Sequence, residues 1–516
     1  MITRREFFEH AGAIGLGTAL VPHTGALAAA DEENVAERAP GIIFEQFEAG
    51  GISHYSYFIG DLLSGEAAVI DPRRDVEAYV ELAKKHRLRI RHAIETHIHA
   101  DFVSGARELA ARTGARIRAS VEGGARYGFP IDPIRDGDVI HVGGVELEAM
   151  HTPGHTPEHM SFLASRRGRK RSSWALFTGD FLFAGSVGRP DLMGVDNTGD
   201  LAKKLWHSLQ TAFEDLPDQL PIYPAHGPGS PCGAGIAERD EQATLGIERE
   251  SNPALQFDER DAFIEDLLFN QPPVPYYWPR MKEVNARGPE VLGGVPEPEP
   301  LEPEAFERMI ASPEVQLLDT RHMFGFGGGH IRGAMNIGHS SSISMWGGWL
   351  LDHQRPIALV KAPEGTATEV TAWLMRVGLT NVKAVLDGGM KEWTASGREF
   401  VTLPQMSIHA LRERLDDPGL QIVDVRQPSE WDEGHLPNAR YAFLPEIPGR
   451  LDEFDRSKPV VTFCGTGYRA SVGASLFKRG GFDVFSVPGS AEAWEAAGYS
   501  FEDPGKPQRA SLTRRG

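Results

Sequence analysis

The feature that most constrains this chain is a repeat in its second half. Asp319-Thr320-Arg321 recurs as Asp424-Val425-Arg426, 105 residues on, and Gly329-His330-Ile331-Arg332-Gly333-Ala334 recurs as Gly434-His435-Leu436-Pro437-Asn438-Ala439 at the same offset. Leu359-Val360 and Val461-Thr462 match at offset 102, and Gly388 and Trp393 recur as Gly489 and Trp494 at offset 101. Units of this size can each bury their own core, unlike the short units of a solenoid. The second half therefore reads as two copies of one α/β domain, at 301–400 and 403–505. Each copy keeps its own strand and turn signals.

The other half is a different α/β region. Ala67-Ala68-Val69-Ile70 reads as a strand, Val76 to His86 as a helix, Ile90 to Glu95 as a strand running into a His-rich loop, and Ser104 to Thr113 as a helix. Ser172 to Thr178 is a further apolar strand ending at Gly179-Asp180. This alternation defines a domain over 42–255. Between it and the repeats, prolines crowd 271–279 and 294–303, so 256–300 is expected to be a stiff, extended, Pro-rich linker. Three domains suit 516 residues.

With 53 Lys plus Arg against 72 Asp plus Glu, the net charge is −19, which argues against a nucleic-acid partner and against docking on anionic lipid. No stretch reaches the length of a membrane span. At the N-terminus, Arg4-Arg5 with Phe7 precede a short, weakly apolar run and the small residues Ala26 to Ala30. This pattern resembles a twin-arginine signal over 1–30. It predicts an exported, periplasmic or otherwise extracytoplasmic protein that starts near Asp31. Such a route carries folded chains, which suits a metal loaded before export.

Four elements bring metal-binding residue types to loop positions. They are Thr96-His97-Ile98-His99-Ala100-Asp101-Phe102, His151-Thr152-Pro153-Gly154-His155-Thr156, Thr178-Gly179-Asp180 and Pro224-Ala225-His226-Gly227. On an extended stretch, alternate residues point the same way, so His97, His99 and Asp101 are expected to converge. Imidazole with carboxylate suits iron or zinc. A lone histidine is usually a surface or satisfied core residue; four such loops in one region are not.

In this order the motifs resemble the metallo-β-lactamase-fold superfamily, which implies an αββα sandwich with metal at one edge. The chain departs from the dinuclear pattern at Phe102, where a hydrolase of that fold has histidine. A second site built on Asp101 and His226 is then one ligand short, so one metal is expected. Within the superfamily, the stretch through Gly185-Ser186-Val187-Gly188-Arg189-Pro190-Asp191-Leu192 resembles the persulfide dioxygenase branch. That resemblance implies one Fe(2+) held by His97, His155 and Asp180. It leaves His99, Asp101 and His226 as supporting or vestigial residues. Arg189 and Asp191 would brace the metal loop, with a substrate contact as the other reading. Cys232 reads as a small packed thiol, with a resting place for substrate sulfur as the alternative.

The second cysteine has a different setting. Val460 to Phe463 reads as a strand that delivers Cys464-Gly465-Thr466-Gly467-Tyr468-Arg469 to the helical run Ala470 to Lys478. A thiol at a strand-to-helix turn meets backbone N–H groups and the positive end of the helix, and Arg469 adds a fixed cation. The six-residue ring suits one persulfide sulfur. With Asp424-Val425-Arg426 and Gly434 to Ala439, it resembles a rhodanese, which implies sulfur transfer through Cys464. At the repeat offset, Cys464 falls on Ala362 and Arg469 on Ala367, so the first copy reads as a degenerate rhodanese without its nucleophile. Its Gly325-Phe326-Gly327-Gly328-Gly329 run is expected to be a mobile loop.

Together these resemblances imply an enzyme that oxidises a low-molecular-weight thiol persulfide with dioxygen to sulfite. They imply rhodanese transfer that makes or uses thiosulfate. Two alternatives stay open at this stage. One is a Zn(2+)-dependent thioester hydrolase of glyoxalase II type with an accessory rhodanese; the other is a non-enzymatic sulfane-sulfur carrier. The sequence leaves the thiol carrier, the direction of sulfur flow and a homo-oligomeric state open.

Overall fold

The computed structural model describes residues 40–238, 242–269 and 271–502. The twin-arginine stretch and its cleavage site lie outside the described residues. The described residues form two compact bodies: one comprises those from 40 to 296 with 372–380, the other 297–371 and 381–502.

In the first body, period-two alternation sets the layers. A six-stranded sheet runs β1 (Ile42–Ala49), β2 (His54–Asp61), β3 (Glu66–Ile70), β4 (Arg89–Ile94), β5 (Arg116–Ser120) and β6 (Asp132–Ile134), in that order. A five-stranded sheet is built from β7 (Val139–Val142), β8 (Val145–His151), β9 (Met160–Arg166), β10 (Arg169–Gly179) and β13 (Ile222–Pro224), in the order β13-β10-β9-β8-β7. A small hairpin, β11 (Leu182–Phe183) and β12 (Ser186–Val187), follows β10. Tyr57 and Ile59 of β2 enter the core between the sheets, while Phe58 faces the other way. Ala68 and Ile70 of β3 do the same against Ala67 and Val69, and Ala175 and Phe177 of β10 against Leu176. Strands apolar on both faces need cover on both. Helices α1 (Glu77–His86) and α2 (Ala106–Thr113) cover one sheet through Tyr79, Ala83, Ala106 and Leu109. Helix α3 (Val195–Thr211) covers the other through Leu205. The result is the expected αββα sandwich.

The segment 256–300 is not the extended connector that its prolines suggest. It holds a helix at Arg260–Phe269 and α4 (Trp278–Arg287). Phe263, Trp278 and Met281 are buried. Pro279 sits in the first turn of α4, where the missing N–H would have had no helical partner.

The second body holds two parallel sheets. The first copy contributes β14 (Glu299–Leu301), β15 (Gln316–Asp319), β16 (Met335–Asn336), β17 (Ile357–Val360) and β18 (Val382–Leu386), ordered β14-β18-β17-β15-β16. The second copy contributes β19 (Gln421–Asp424), β20 (Arg440–Tyr441), β21 (Val460–Phe463) and β22 (Val484–Ser486), ordered β20-β19-β21-β22. The repeat is physical as well as sequential. Arg321 forks onto Asp319 and reaches the Gly329 carbonyl at 2.8 Å; Arg426 forks onto Asp424 and reaches the Gly434 carbonyl at 2.6 Å. The Phe326 and His330 rings stack at 3.8 Å, as those of Trp431 and His435 do at 3.7 Å. The glycine run expected as a mobile loop is instead a short helix, Met323–Gly328. His322 caps its start, and the buried Phe326 pins it to the core.

Phe177 packs in the sandwich core against Phe44, Tyr57 and Tyr223. Phe177→Ala is expected to destabilise the first body by about 3–5 kcal/mol, read as a lower urea midpoint by circular dichroism. An unchanged midpoint would contradict this packing.

Candidate functional site

The metal-binding residue types leave the sandwich at one edge, after β4, β8, β10 and β13. The Nε2 atoms of His97 and His155 and the Oδ2 of Asp180 lie within 4.8 Å of one another. Among the described residues none of the three has a hydrogen-bond partner, although all are buried. His155 Nε2 is 3.4 Å from Asp180 Oδ2, and His97 Nε2 is 3.8 Å from it.

Their other atoms are all engaged. A carbonyl only accepts, so His155 Nδ1–H donates to the Arg189 carbonyl, at 2.9 Å. Thr96 Oγ1 donates to Asp71 Oδ2 at 2.8 Å, so it accepts from His97 Nδ1–H at 2.9 Å. Both imidazoles therefore turn a bare Nε2 lone pair toward Asp180 Oδ2. Burial pushes both histidines down, His155 to about 4, which keeps those lone pairs free. Burial alone would raise Asp180, but His226, hydrogen-bonded to Oδ1 at 2.7 Å, and then His155 hold it well below the usual carboxylate range. Three converging buried donors without partners fit a divalent cation.

The remaining residues of the motif part company. His99 does not converge with His97. Its Nε2 turns to Asp71 Oδ1 at 3.1 Å and Glu95 Oε2 at 3.2 Å. Burial opposes its charge, but Asp71 and Glu95 prevail and hold it protonated, pushed up to about 10. Its Nδ1 is buried with no hydrogen-bond partner among the described residues, and its ring lies 4.2 Å from that of His97. Asp101 Oδ2 meets His226 Nε2 at 2.8 Å, and the Cys232 sulfur lies in the same cluster. Phe102 is fully buried, its ring 3.9 Å from His54 and 4.5 Å from His99.

Arg189 and Asp191 form a two-point ion pair, with Nε–Oδ1 at 2.6 Å and Nη2–Oδ2 at 2.8 Å. Arg189 Nη1 also donates to the carbonyls of Pro231 and Pro272. Four of the five guanidinium N–H donors are thus engaged within the loops, while the carbonyl of the same residue orients His155.

Two supports escaped the sequence reading. His159 accepts the Asp180 N–H at 2.9 Å through Nε2, while its Nδ1 contacts Thr152 at 2.8 Å. Its signal was present, four residues after His155. Asp71 holds both Thr96 and His99 from the end of β3. Gly179 is obligatory between these parts: its φ is +53°, and a Cβ would lie 2.4 Å from His159 Nε2.

The thiol loop lies in the second body. β21 delivers Cys464, fully buried, to the loop that leads into α6 (Tyr468–Arg479), where α5 (Ala367–Arg376) is the counterpart in the first copy. The Gly467 N–H donates to Cys464 Sγ at 3.1 Å. Gly465 and Thr466 complete the turn, their carbonyls accepting from the N–H groups of Glu492 and Gly489. Arg469, the fixed cation expected beside the thiol, forks onto Glu430, Nη1–Oε2 at 2.5 Å and Nη2–Oε1 at 2.7 Å. Tyr468 Oη donates to the Gly338 carbonyl of the first copy at 2.9 Å, and Ser471 donates to Asn336 at 2.6 Å. In that copy Ala362 takes the cysteine position, Lys361 Nζ donates to the carbonyls of Ala362 and Gly365, and the His339 ring packs over Gly365.

The metallo-beta-lactamase superfamily pattern matches residues 49–226, and the rhodanese-like domain pattern matches twice, at 302–396 and 407–497. Bovine (Bos taurus) mitochondrial persulfide dioxygenase ETHE1 is 32% identical over 209 residues, covering 40% of this chain and 75% of the relative. The hydroxyacylglutathione hydrolase GloC of Haemophilus influenzae is 29% identical over 208 residues, covering 37% of this chain and 87% of the relative. A crystal structure described as a metallo-beta-lactamase from Staphylococcus aureus subsp. aureus COL shares 32% identity. It has a TM-score of 0.60 and covers 67% of this chain and 99% of that one. The chain belongs to the metallo-beta-lactamase superfamily and carries two rhodanese-like domains behind that fold. Its homologues there include persulfide dioxygenases.

Gly467 has φ +97°, and a Cβ there would lie 2.9 Å from the Gly489 nitrogen. Gly467→Ala is expected to lower sulfur transfer from thiosulfate to cyanide by roughly tenfold or more, through backbone strain of about 1–3 kcal/mol. Metal content should not change. Full transfer activity would show that the loop tolerates another shape.

Proposed function

We propose that the first body is a persulfide dioxygenase with one ferrous iron, and that Cys464 is the nucleophile of a sulfurtransferase in the same exported chain. The observation that carries the first half is the set of three buried, unpartnered donors on His97, His155 and Asp180, with the Nε2 of His99 taken by Asp71 and Glu95. Two imidazoles and one carboxylate leave further positions free on an iron. Ferrous iron held there would supply redox chemistry with dioxygen and Lewis acidity toward the terminal sulfur of the persulfide.

The chain's residues do the rest. The Arg189 carbonyl and Thr96 fix the two imidazoles, and His159 fixes the Asp180 backbone. Burial keeps bulk water from the reacting atoms. One persulfide, one dioxygen and one water give one thiol, one sulfite and two protons. In the second half, the Cys464 thiolate attacks the outer sulfur of a donor. An S–S bond forms on Cys464 and the donor leaves as thiolate or sulfite. Sulfite as acceptor then takes that sulfur, giving thiosulfate and free thiolate; the reverse feeds sulfur toward the iron. The Gly467 N–H supports the negative sulfur.

The persulfide dioxygenase homologues and the rhodanese-like domains support this reading over thioester hydrolysis. Phe102 does so too, because it removes a ligand that two-metal hydrolysis needs. The twin-arginine pattern supports an extracytoplasmic site of action.

Oxygen uptake by iron-loaded protein with glutathione persulfide tests the reading. Uptake with sulfite or thiosulfate as product is expected. His155→Ala should abolish it, and Cys464→Ser should spare it while abolishing sulfur transfer. Hydrolysis of S-lactoylglutathione without oxygen uptake would overturn the dioxygenase assignment.

A further inference from the structure

Each rhodanese-like copy enters its last helix through two residues in the left-handed region. In the first copy these are Gly388 and Gly389, at φ +62° and +61°. In the second, at offset 101, they are Gly489 and Ser490, at φ +73° and +40°. Glycine adopts such a φ readily, whereas a serine there is strained. A Cβ at Gly389 would meet nothing within 4 Å. Space therefore does not keep serine out of the first copy, and the turn itself needs no serine in the second.

What the serine brings is a hydroxyl. Ser490 is fully buried, and its Oγ accepts from the Cys464 N–H at 3.1 Å and donates to the Val487 carbonyl at 2.6 Å. The next residue, Ala491, donates its N–H to the Cys464 carbonyl at 3.0 Å. Both backbone polar groups of Cys464 thus end on neighbouring residues of one turn. That fixes the peptide planes on either side of its Cα, and with them the direction of its Cα–Cβ bond. The same turn holds the two residues that follow the thiol. Glu492 N–H donates to the Gly465 carbonyl at 3.0 Å and Gly489 N–H to the Thr466 carbonyl at 3.1 Å. A trans peptide points its C=O and N–H in opposite directions. Drawing the Thr466 carbonyl to Gly489 therefore turns the Gly467 N–H, on the same peptide, onto Cys464 Sγ.

We propose that Ser490 is a positioning residue for the sulfur chemistry of Cys464, aiming the thiol by holding the Cys464 N–H through its hydroxyl. The inference rests on Cys464 as the nucleophile of sulfur transfer. A strained backbone persists only where its surroundings over-determine it, and here the two hydrogen bonds of the hydroxyl contribute to that. The first copy, which has no thiol to aim, makes the same turn with glycine. A sulfur nucleophile depends on alignment with the S–S bond it opens, so a loosened Cys464 loses rate rather than donor binding.

Ser490→Gly and Ser490→Ala in the full-length chain separate the hydroxyl from the strain: both lose the hydroxyl, and only glycine relieves the backbone. Ser490→Gly also rebuilds the glycine pair with which the first copy already makes this turn. A cooperative urea transition by circular dichroism shows that each variant is folded. Sulfur transfer from thiosulfate to cyanide is expected to fall roughly tenfold or more in both, in kcat and kcat/KM alike. Alkylation of Cys464 by iodoacetamide, followed by peptide mass spectrometry so that Cys232 is not counted, is expected to slow in both. Wild-type kcat in folded Ser490→Gly would overturn the proposal, as would a rise in KM alone. So would loss of transfer confined to Ser490→Ala, which would assign the effect to backbone strain, or alkylation at the wild-type rate in both variants. If the wild-type chain transferred no sulfur, the assignment of Cys464 would fall by itself, and the alkylation rates would still decide whether Ser490 holds the thiol.

Discussion

Asp180 sets a full negative charge where no water reaches it, and a buried charge persists only where opposite charge and hydrogen bonds meet it. His226 meets one carboxylate oxygen; His97 and His155 turn bare nitrogens toward the other. Everything else at this edge serves that arrangement. Gly179 admits His159 beneath the Asp180 backbone, Thr96 and the Arg189 carbonyl set the tautomers of the two imidazoles, and Asp71 draws His99 away.

Much of this was legible because the information is local. His97, His155 and Asp180 each sit in a short motif of strand end, turn residue and metal-binding residue type, and the structure assembles the three motifs at one edge. The fate of His99 was not legible. It depends on Asp71, which is 28 positions upstream and becomes a neighbour only because β3 pairs with β4. The pairing of Arg469 with Glu430 is hidden in the same way, 39 positions apart. Proline count misled at 256–300, because Pro279 lies in a first helical turn, where proline costs nothing in hydrogen bonding. Glycine count misled at 325–329, where a buried phenylalanine and a capping histidine outweigh the weak helix propensity of glycine.

The two rhodanese-like copies separate scaffold from chemistry. Both keep the Asp–Arg fork onto a glycine carbonyl, the aromatic–histidine stack and a tryptophan N–H donated six residues ahead. These contacts hold the strand ends that frame the loop. The Cys464 loop is a small part of the copy, and in the first copy alanine and a lysine-capped loop take its place without disturbing the frame.

Tyr468 adds a consequence for how the chain can be divided. It is the first residue of the helix behind the thiol loop, and its hydroxyl is satisfied by a carbonyl of the other copy. Asn336 is shared likewise, bonding Ser471 and Ser475 of that helix. A fragment cut at the boundary between the copies would strip these polar groups of their partners and leave the helix behind Cys464 without its outer wall. The smallest autonomous piece that keeps the Cys464 loop intact is therefore the pair, and the copy with alanine at the matching position is part of the other's architecture.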